Sequence, residues 1–334
     1  MADFTVMTST YPGAHLSRGG VHHQVSRTEA GLRARYPQLR VRGFDPLDWE
    51  DVDVLHVFSL DPSQLAVARA FKAKGKKVVV TPIFMSVFEP EKRLKLYRLG
   101  VKLPGVFSFF RTARELLETA DGVIAMIRAE ADGLQRLFPG AARRMRVIPN
   151  MGFPDTPPPL RREPGEHLLY VGVIEERKNL RGAIALAKAA GVPLKVCGVP
   201  VPGQEAYADL CRKEAGPETE FLGFVQSGSD RLRDLYARSL ACVLLSRREA
   251  APLIIREAAL QGRATVVPEA MPNQDDFEPF LVRVPAKGAP DPAPVLANTR
   301  RVAETAELLR QAAPTDRQIA EAHFDEYRRV LDGR

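Results

Sequence analysis

The sequence predicts an α/β protein built from two doubly wound, parallel-sheet domains facing a central cleft, and three observations carry that expectation. Short apolar runs rich in Val and Ile alternate with helical segments along the whole chain. A proline-rich stretch, Pro154-Asp-Thr-Pro-Pro-Pro-Leu-Arg-Arg-Glu-Pro-Gly-Glu, interrupts the alternation near its middle. Its prolines continue neither a helix nor a central strand, so it marks a boundary. The length, 334 residues, suits two domains at roughly 100–200 residues each.

Before the boundary, strands are expected at 3–8, 39–44, 52–58, 77–83, 122–127 and 145–149, with helices such as 21–36 and 62–73 between them. These runs are short, apolar and rich in Val or Ile, as expected of strands covered on both faces. After it, strands are expected at 167–174, 194–198, 220–225, 241–246, 264–268 and 280–284. The domains are then 1–155 and 165–313, with the last helix, within 314–334, packing back on the first. In such sheets ligands sit beyond the carboxyl ends of the strands.

Composition excludes several classes. At 45% hydrophobic and 27% charged residues the chain is globular rather than disordered. The start, Met1-Ala-Asp-Phe-Thr-Val, lacks the basic and apolar regions of a secretory signal. The longest apolar run, 78–88, is interrupted by Thr81, Pro82 and Ser86, and it falls short of the ~18–20 residues of a membrane span. Cys197, Cys211 and Cys242 show no CxxC spacing and read as reduced thiols. A cytoplasmic location follows as the expectation.

Net charge is +7 and uneven. Residues 1–150 hold 23 Lys+Arg against 15 Asp+Glu, and the remainder 25 against 26. The whole excess lies in the first half. It suits an anionic partner there (a phospholipid surface, a lipid-linked diphosphate or a nucleic acid), or equally a solvated surface serving solubility. Residues 84–117 interleave Lys92, Arg93, Lys95, Arg98, Lys102, Arg111 and Arg114 with Phe84, Phe88, Tyr97, Phe107, Phe109 and Phe110. That pattern fits peripheral contact with an anionic membrane, nucleic-acid binding, or helices that bury Phe and expose their charges.

The sharpest segment is Ser246-Arg-Arg-Glu249-Ala250-Ala251-Pro252-Leu253-Ile-Ile-Arg-Glu257-Ala-Ala-Leu-Gln-Gly262, which follows a buried strand and opens a helix. Pro252 is expected in the first helical turn and Gly262 just past the last. A helix N-terminus gathers unpaired N–H groups and partial positive charge, which suits a diphosphate. Glu249, in the loop, would accept hydrogen bonds from sugar hydroxyls, and Glu257, on the helix, from ribose hydroxyls. Alone, either glutamate reads as a helix-flank charge.

Taken together, the segment resembles the Glu-x7-Glu signature of retaining family-4 glycosyltransferases. Leu169-Tyr-Val-Gly172-Val-Ile-Glu-Glu-Arg177-Lys178-Asn179 is similar to the opening of that family's donor domain. Glu220-Phe-Leu-Gly-Phe224-Val225, followed by Leu235-Tyr-Ala, resembles its nucleotide-side loop and helix. Arg146-Val-Ile-Pro-Asn150 and Arg18-Gly19-Gly20-Val-His22-His23 resemble the end of its first domain and its early glycine loop. The likeness is strong over 145–268 and weak over 1–140.

The resemblance implies a GT-B fold of two Rossmann-like domains, a nucleoside-diphosphate sugar donor, no metal or other cofactor, and retention at the anomeric carbon. It places Glu249, Lys178 and Arg177 in catalysis, with the lysine at the family's phosphate position. Donor contacts then fall to Gly172, Gly198, Phe224, Val225 and Glu257, to Ala250, Ala251, Pro252 and Leu253, and to Gly19 and Gly20 of the other domain. Two positions depart from the family. Val173 stands where many members carry an arginine, and Val80-Thr81-Pro82-Ile83 lacks their histidine, for which His22 or His23 could substitute.

Two other motifs carry less. Asp51-Val-Asp53 matches a metal-binding DxD but lies at the entrance of a strand and reads as edge charge. The run Lys72-Ala-Lys-Gly-Lys-Lys77 ends a helix, where lysines are favoured by its dipole. The expected activity is glycosyl transfer to an acceptor on the basic first domain. That acceptor would be an anionic or lipid-linked saccharide of cell-envelope polysaccharide or glycolipid synthesis, met at the inner face of the membrane. The alternatives are a nucleic-acid acceptor and a non-catalytic protein that binds nucleotide sugars. A nicotinamide dehydrogenase is excluded, because no G-x-G-x-x-G follows a first strand.

Overall fold

The structure, a computed structural model, describes residues 4–14, 19–84, 108–160, 165–285 and 291–333. Most of the basic, aromatic stretch 84–117 lies outside them, as does Arg18. The chain divides into two compact units, Met1–Met151 with Pro314–Arg334, and Gly152–Ala313. Among the described residues no helix is long and apolar enough to cross a membrane.

The first unit is a six-stranded parallel sheet: β1 (Thr5–Thr10), β2 (Arg40–Gly43), β3 (Val54–Phe58), β4 (Lys77–Thr81), β5 (Gly122–Ala125) and β6 (Met145–Val147), in the order β2-β1-β3-β4-β5-β6. Helices α1 (Gly20–Arg35), α2 (Ser63–Ala73), α3 (Phe109–Thr119) and α4 (Arg128–Leu137) lie between the strands in sequence. Every residue of β3 is buried, which is why this strand is apolar apart from His56, whose ring nitrogens both find partners. β4 stops at Thr81 although the apolar pattern continues to Ile83. Ile83 has φ +49°, in the left-handed region that a β-branched residue rarely enters. Fully buried Glu130 holds that exit in place by accepting N–H bonds from Phe84 and Met126, both 2.8 Å.

The C-terminal helix, Asp316–Leu331, packs on this unit. Phe324 stacks on Tyr36, the C-cap of α1, at 4.0 Å. The Tyr327 hydroxyl lies 2.8 Å from His56 Nδ1, while His56 Nε2 lies 2.8 Å from Thr81 Oγ1. His323 sits 5.7 Å from the His56 ring. Burial pushes His323 down to about 4, and burial followed by the charge of His323 pushes His56 well below its ordinary value.

The second unit repeats the architecture with β7 (His167–Val171), β8 (Leu194–Cys197), β9 (Thr219–Gly223), β10 (Ser239–Val243), β11 (Ala264–Pro268) and β12 (Leu281–Val284). Its order is β12-β11-β10-β7-β8-β9, all parallel. Helices α5 (Leu180–Ala190), α6 (Glu205–Glu214), α7 (Asp230–Arg238), α8 (Leu253–Leu260) and α9 (Ala293–Ala312) complete it. The chain winds outward from β7 to β9, then returns to β10 on the other side of β7. The loops after β7 and β10 therefore leave the sheet side by side and diverge, which is the topological switch point where open sheets bind ligands. His167, at the start of β7, is pushed down to about 4 by burial and then by Lys195.

Acid stability follows from these three histidines. Each is neutral when folded and takes a proton near 6.5 when unfolded. The unfolded chain therefore binds more protons below pH 6.5, and stability falls from there toward pH 4. Urea titrations across this range should show a loss on the order of 1 kcal/mol per pH unit for each histidine. His323→Gln should flatten the slope. A profile level down to pH 4 would contradict the assignment.

Candidate functional site

Glycines set the exits of three neighbouring strands in the second unit. β7 gives way to Gly172, φ +153°, whose N–H still donates to Cys197 O at 3.0 Å. β8 gives way to Gly198, whose N–H donates to Gly223 O at 2.8 Å. A Cβ on Gly198 would lie 1.9 Å from Gly172 O, so only glycine fits there. At Gly223 (φ +69°) β9 turns away from its ladder. The strand expected to run to Val225 therefore ends two residues earlier, and Phe224, half exposed, and Val225 belong to the loop beyond it.

The loop after β7 leads into a one-turn 3-10 helix, Glu176–Lys178. Asn179, φ +54°, ends that turn and caps α5, its side chain accepting the Gly182 N–H at 3.2 Å. Lys178 is thus fixed one residue ahead of a helix N-terminus. At Val173, where the resemblance led to an expected arginine, the carbonyl accepts the Tyr170 hydroxyl at 2.8 Å.

The loop after β10 runs from buried Ser246 past exposed Arg247 and Arg248 to buried Glu249 and Ala250, then Ala251 and Pro252. Pro252 is the N-cap (ψ 130°) rather than a residue of the first turn, and Leu253 begins α8. Proline's effect on the preceding backbone favours this entry. Gln274, itself buried, donates to Ala250 O at 3.0 Å and pins the loop. Gly262, φ +68°, follows α8 and donates to Ala259 O at 2.9 Å.

The two loops interlock at the switch point. Lys178 Nζ is ion-paired and hydrogen-bonded to Glu249 Oε1. Arg177 donates to the same oxygen at 3.3 Å, to Arg248 O at 2.8 Å and to Glu175 Oε1 at 2.5 Å. The Arg177 carbonyl accepts the Arg247 N–H at 2.9 Å, and Arg247 reaches Glu176 at 3.1 Å. Glu249 is 9% exposed and Lys178 17% by side chain, so the cluster is held at the edge of the protein's interior, where charge–charge attraction is stronger than in bulk water.

Three of the sequence-derived residues, Arg177, Lys178 and Glu249, are therefore in direct contact, and Ala250 to Leu253 continue from them. Glu257, on α8, accepts the Tyr236 hydroxyl of α7 at 2.6 Å. Sequence reasoning set Tyr236 in the Leu235-Tyr-Ala stretch but did not pair it with Glu257, since a partner 21 residues away on a different helix leaves no spacing signal. Tyr236→Phe should leave folding nearly intact and weaken binding of a ligand held by Glu257 about five- to tenfold. Calorimetric titration would show it, and unaltered affinity would remove Glu257 from the site.

Gly19 and Gly20 lie in the first unit, at the start of α1, where Gly19 is the N-cap. A Cβ on Gly20 would meet nothing within 4 Å, so packing within that unit does not require glycine. Thr81 is engaged by His56. Asp51 is paired with Arg42, and Asp53 accepts the Thr5 N–H at 2.8 Å, as edge charges do. Lys72 is not merely solvated, because it holds Asp121 at 2.7 Å.

Two parallel six-stranded units, the second with glycine exits and a cationic switch point, define the class: the fold is GT-B, that of two-domain glycosyltransferases. Residues 2–151 match the profile of Glycosyltransferase Family 4. Comparison with curated proteins gives no match. The chain is similar throughout to a sucrose-phosphate synthase from Thermosynechococcus elongatus, with TM-score 0.76, 17% identity and 100% of both chains covered. It is similar to Anabaena HepE, solved in complex with UDP and glucose, with TM-score 0.69, 16% identity, and 97% of this chain and 99% of that one covered. It is also similar to AviGT4, a glycosyltransferase involved in avilamycin A biosynthesis, with TM-score 0.66, 20% identity and 99% of both chains covered.

Proposed function

We propose that the protein is a retaining glycosyltransferase that takes a sugar from a nucleoside-diphosphate sugar bound at the β7/β10 switch point. The observation that carries this reading is the meeting of Lys178, Arg177 and Glu249 between the N-termini of α5 and α8. A diphosphate leaving group needs positive charge as its bond to the sugar breaks. Lys178 and the helix N-termini supply it without a metal. Glu249 accepts from sugar hydroxyls and Glu257 from the ribose, while the exposed Phe224 face at the end of β9 suits a base. HepE, whose structure holds UDP and glucose, supports a donor of this chemistry.

Retention in this reading needs no protein nucleophile. The departing phosphate oxygen takes the acceptor's proton on the face the leaving group vacates, and the protein positions and stabilises charge. The acceptor is assigned to the first unit, whose sequence carries the basic excess. A lipid-linked or cell-envelope saccharide, reached from the cytoplasm at the membrane surface, is the class this charge favours. The matched family profile lies on the same unit.

The test is release of nucleoside diphosphate from a panel of UDP-, GDP-, ADP- and TDP-sugars, with and without lipid-linked saccharides. One donor should be hydrolysed slowly alone and faster with an acceptor. A chain that binds the nucleotide and releases it from no sugar would be a binding protein instead. Acceleration by DNA or RNA that fades with salt would move the acceptor to nucleic acid.

A further inference from the structure

The sequence reading gives Arg177 and Lys178 one shared task, as cations for the diphosphate, but their contacts differ. Arg177 is a planar fork with three acceptors, Glu175 Oε1 (2.5 Å), Arg248 O (2.8 Å) and Glu249 Oε1 (3.3 Å). Its carbonyl also receives the Arg247 N–H at 2.9 Å. Among the described residues, the Lys178 ammonium has a single side-chain acceptor, Glu249. Drawing Arg177 toward an incoming anion breaks three bonds, one of them to the backbone of the loop that carries Glu249. Drawing Lys178 away breaks one. A flexible ammonium re-aims easily, whereas a guanidinium fitted to a fixed set of acceptors does not.

A second constraint comes from Glu249. Its Oε1 is held by both cations, so that oxygen has little capacity left for sugar hydroxyls while Lys178 remains on it. A diphosphate carries more negative charge than a carboxylate and competes for the lysine. Once Lys178 turns to the phosphate, Arg177 alone keeps Glu249 from being a buried, unpaired carboxylate.

We propose that Arg177 is a positioning residue, holding Glu249 and its loop in place while Lys178 is handed from Glu249 to the donor diphosphate. This rests on the donor-site reading above. The two cations then have separable effects. Lys178 governs affinity for the nucleoside diphosphate, and Arg177 governs the extra affinity contributed by the sugar. Glu249 competes for Lys178 in the resting protein, so neutralising it strengthens binding of the bare nucleotide.

The experiment is calorimetric titration of the full chain with UDP, GDP, ADP and TDP, then with the sugar nucleotide of the base that binds. Lys178→Met should lose nucleoside-diphosphate affinity by about thirtyfold or more. Arg177→Gln should keep that affinity within about threefold, yet cut the sugar nucleotide's advantage by about tenfold. Glu249→Gln should bind the bare nucleotide several-fold tighter than wild type. Arg177→Lys keeps the charge without the fork and should behave as Arg177→Gln. It carries the same readout if the glutamine variant fails to fold.

Arg177→Gln losing nucleotide affinity as Lys178→Met does would make Arg177 a phosphate ligand and overturn the proposal. So would rescue by Arg177→Lys, or a sugar advantage unchanged in both variants. Weaker nucleotide binding by Glu249→Gln would contradict the handover while leaving the donor site standing. Wild type binding none of the four nucleotides, or Lys178→Met binding them as wild type does, would instead remove the donor site and the proposal with it.

Discussion

Lys178→Met is expected to lower kcat/KM for the sugar nucleotide by about a hundred- to a thousandfold. The magnitude is that of removing one donor from developing negative charge, about 2.7–4 kcal/mol. Several features place Lys178 for that task. Asn179 fixes it one residue ahead of α5, and the α8 entrance faces it across the switch point through Glu249. Its side chain is mostly buried, so little water screens its charge. The substitution keeps the length and apolar stem and removes the ammonium. Glu249 is left with Arg177 as its remaining cation contact. Steady-state kinetics on a folded variant would check this, and a loss below tenfold would place the diphosphate elsewhere.

Gly198→Ala is expected to destabilise the second unit by about 3 kcal/mol or to prevent its folding. The added methyl would lie 1.9 Å from Gly172 O. That oxygen belongs to the backbone and has no rotamer to change. Relief requires the exits of β7 and β8 to separate, which breaks the bond from Gly172 N–H to Cys197 O that joins them. Gly20→Ala is the contrast, because its Cβ meets nothing within 4 Å and it should cost less than about 0.5 kcal/mol. Urea unfolding of the two variants separates a packing requirement from a general intolerance of alanine. Equal midpoints would contradict the close approach.

The strands were legible in the sequence because burial on both faces demands runs that are mostly apolar and rich in valine, as in β3 and β11. Their ends were less so. The expected strands ran on through Val173–Ile174, Phe224–Val225 and Leu244–Ser246, whose apolar residues continue the pattern after the ladder has stopped. What ends β7 and β9 is backbone geometry at Gly172 and Gly223, and a glycine in an apolar run has several readings. Ile83 is harder still, since a β-branched residue at positive φ contradicts its local preference and depends on Glu130, 46 residues from the Phe84 amide it holds.

At the candidate site, the sequence named residues but not the contacts between them. Arg177 and Lys178 are adjacent cations there. Among the described residues, the folded chain gives the Arg177 guanidinium three acceptors, Glu175, Arg248 O and Glu249, and gives the Lys178 ammonium one side-chain acceptor, Glu249. That asymmetry arises because the loops after β7 and β10 meet at the switch point, 71 or 72 positions apart in the chain. The tie from Tyr236 to Glu257 is likewise a product of helix packing.

Hydrogen–deuterium exchange of the full chain with and without the proposed nucleoside-diphosphate sugar donor tests the central claim most directly. Ligand should slow exchange at residues 172–179, 198–201, 223–226 and 246–257, the four stretches that leave the carboxyl ends of β7 to β10 and lead into α8. Slowing confined to other segments, or its absence at saturating ligand, would contradict a donor site at this sheet edge.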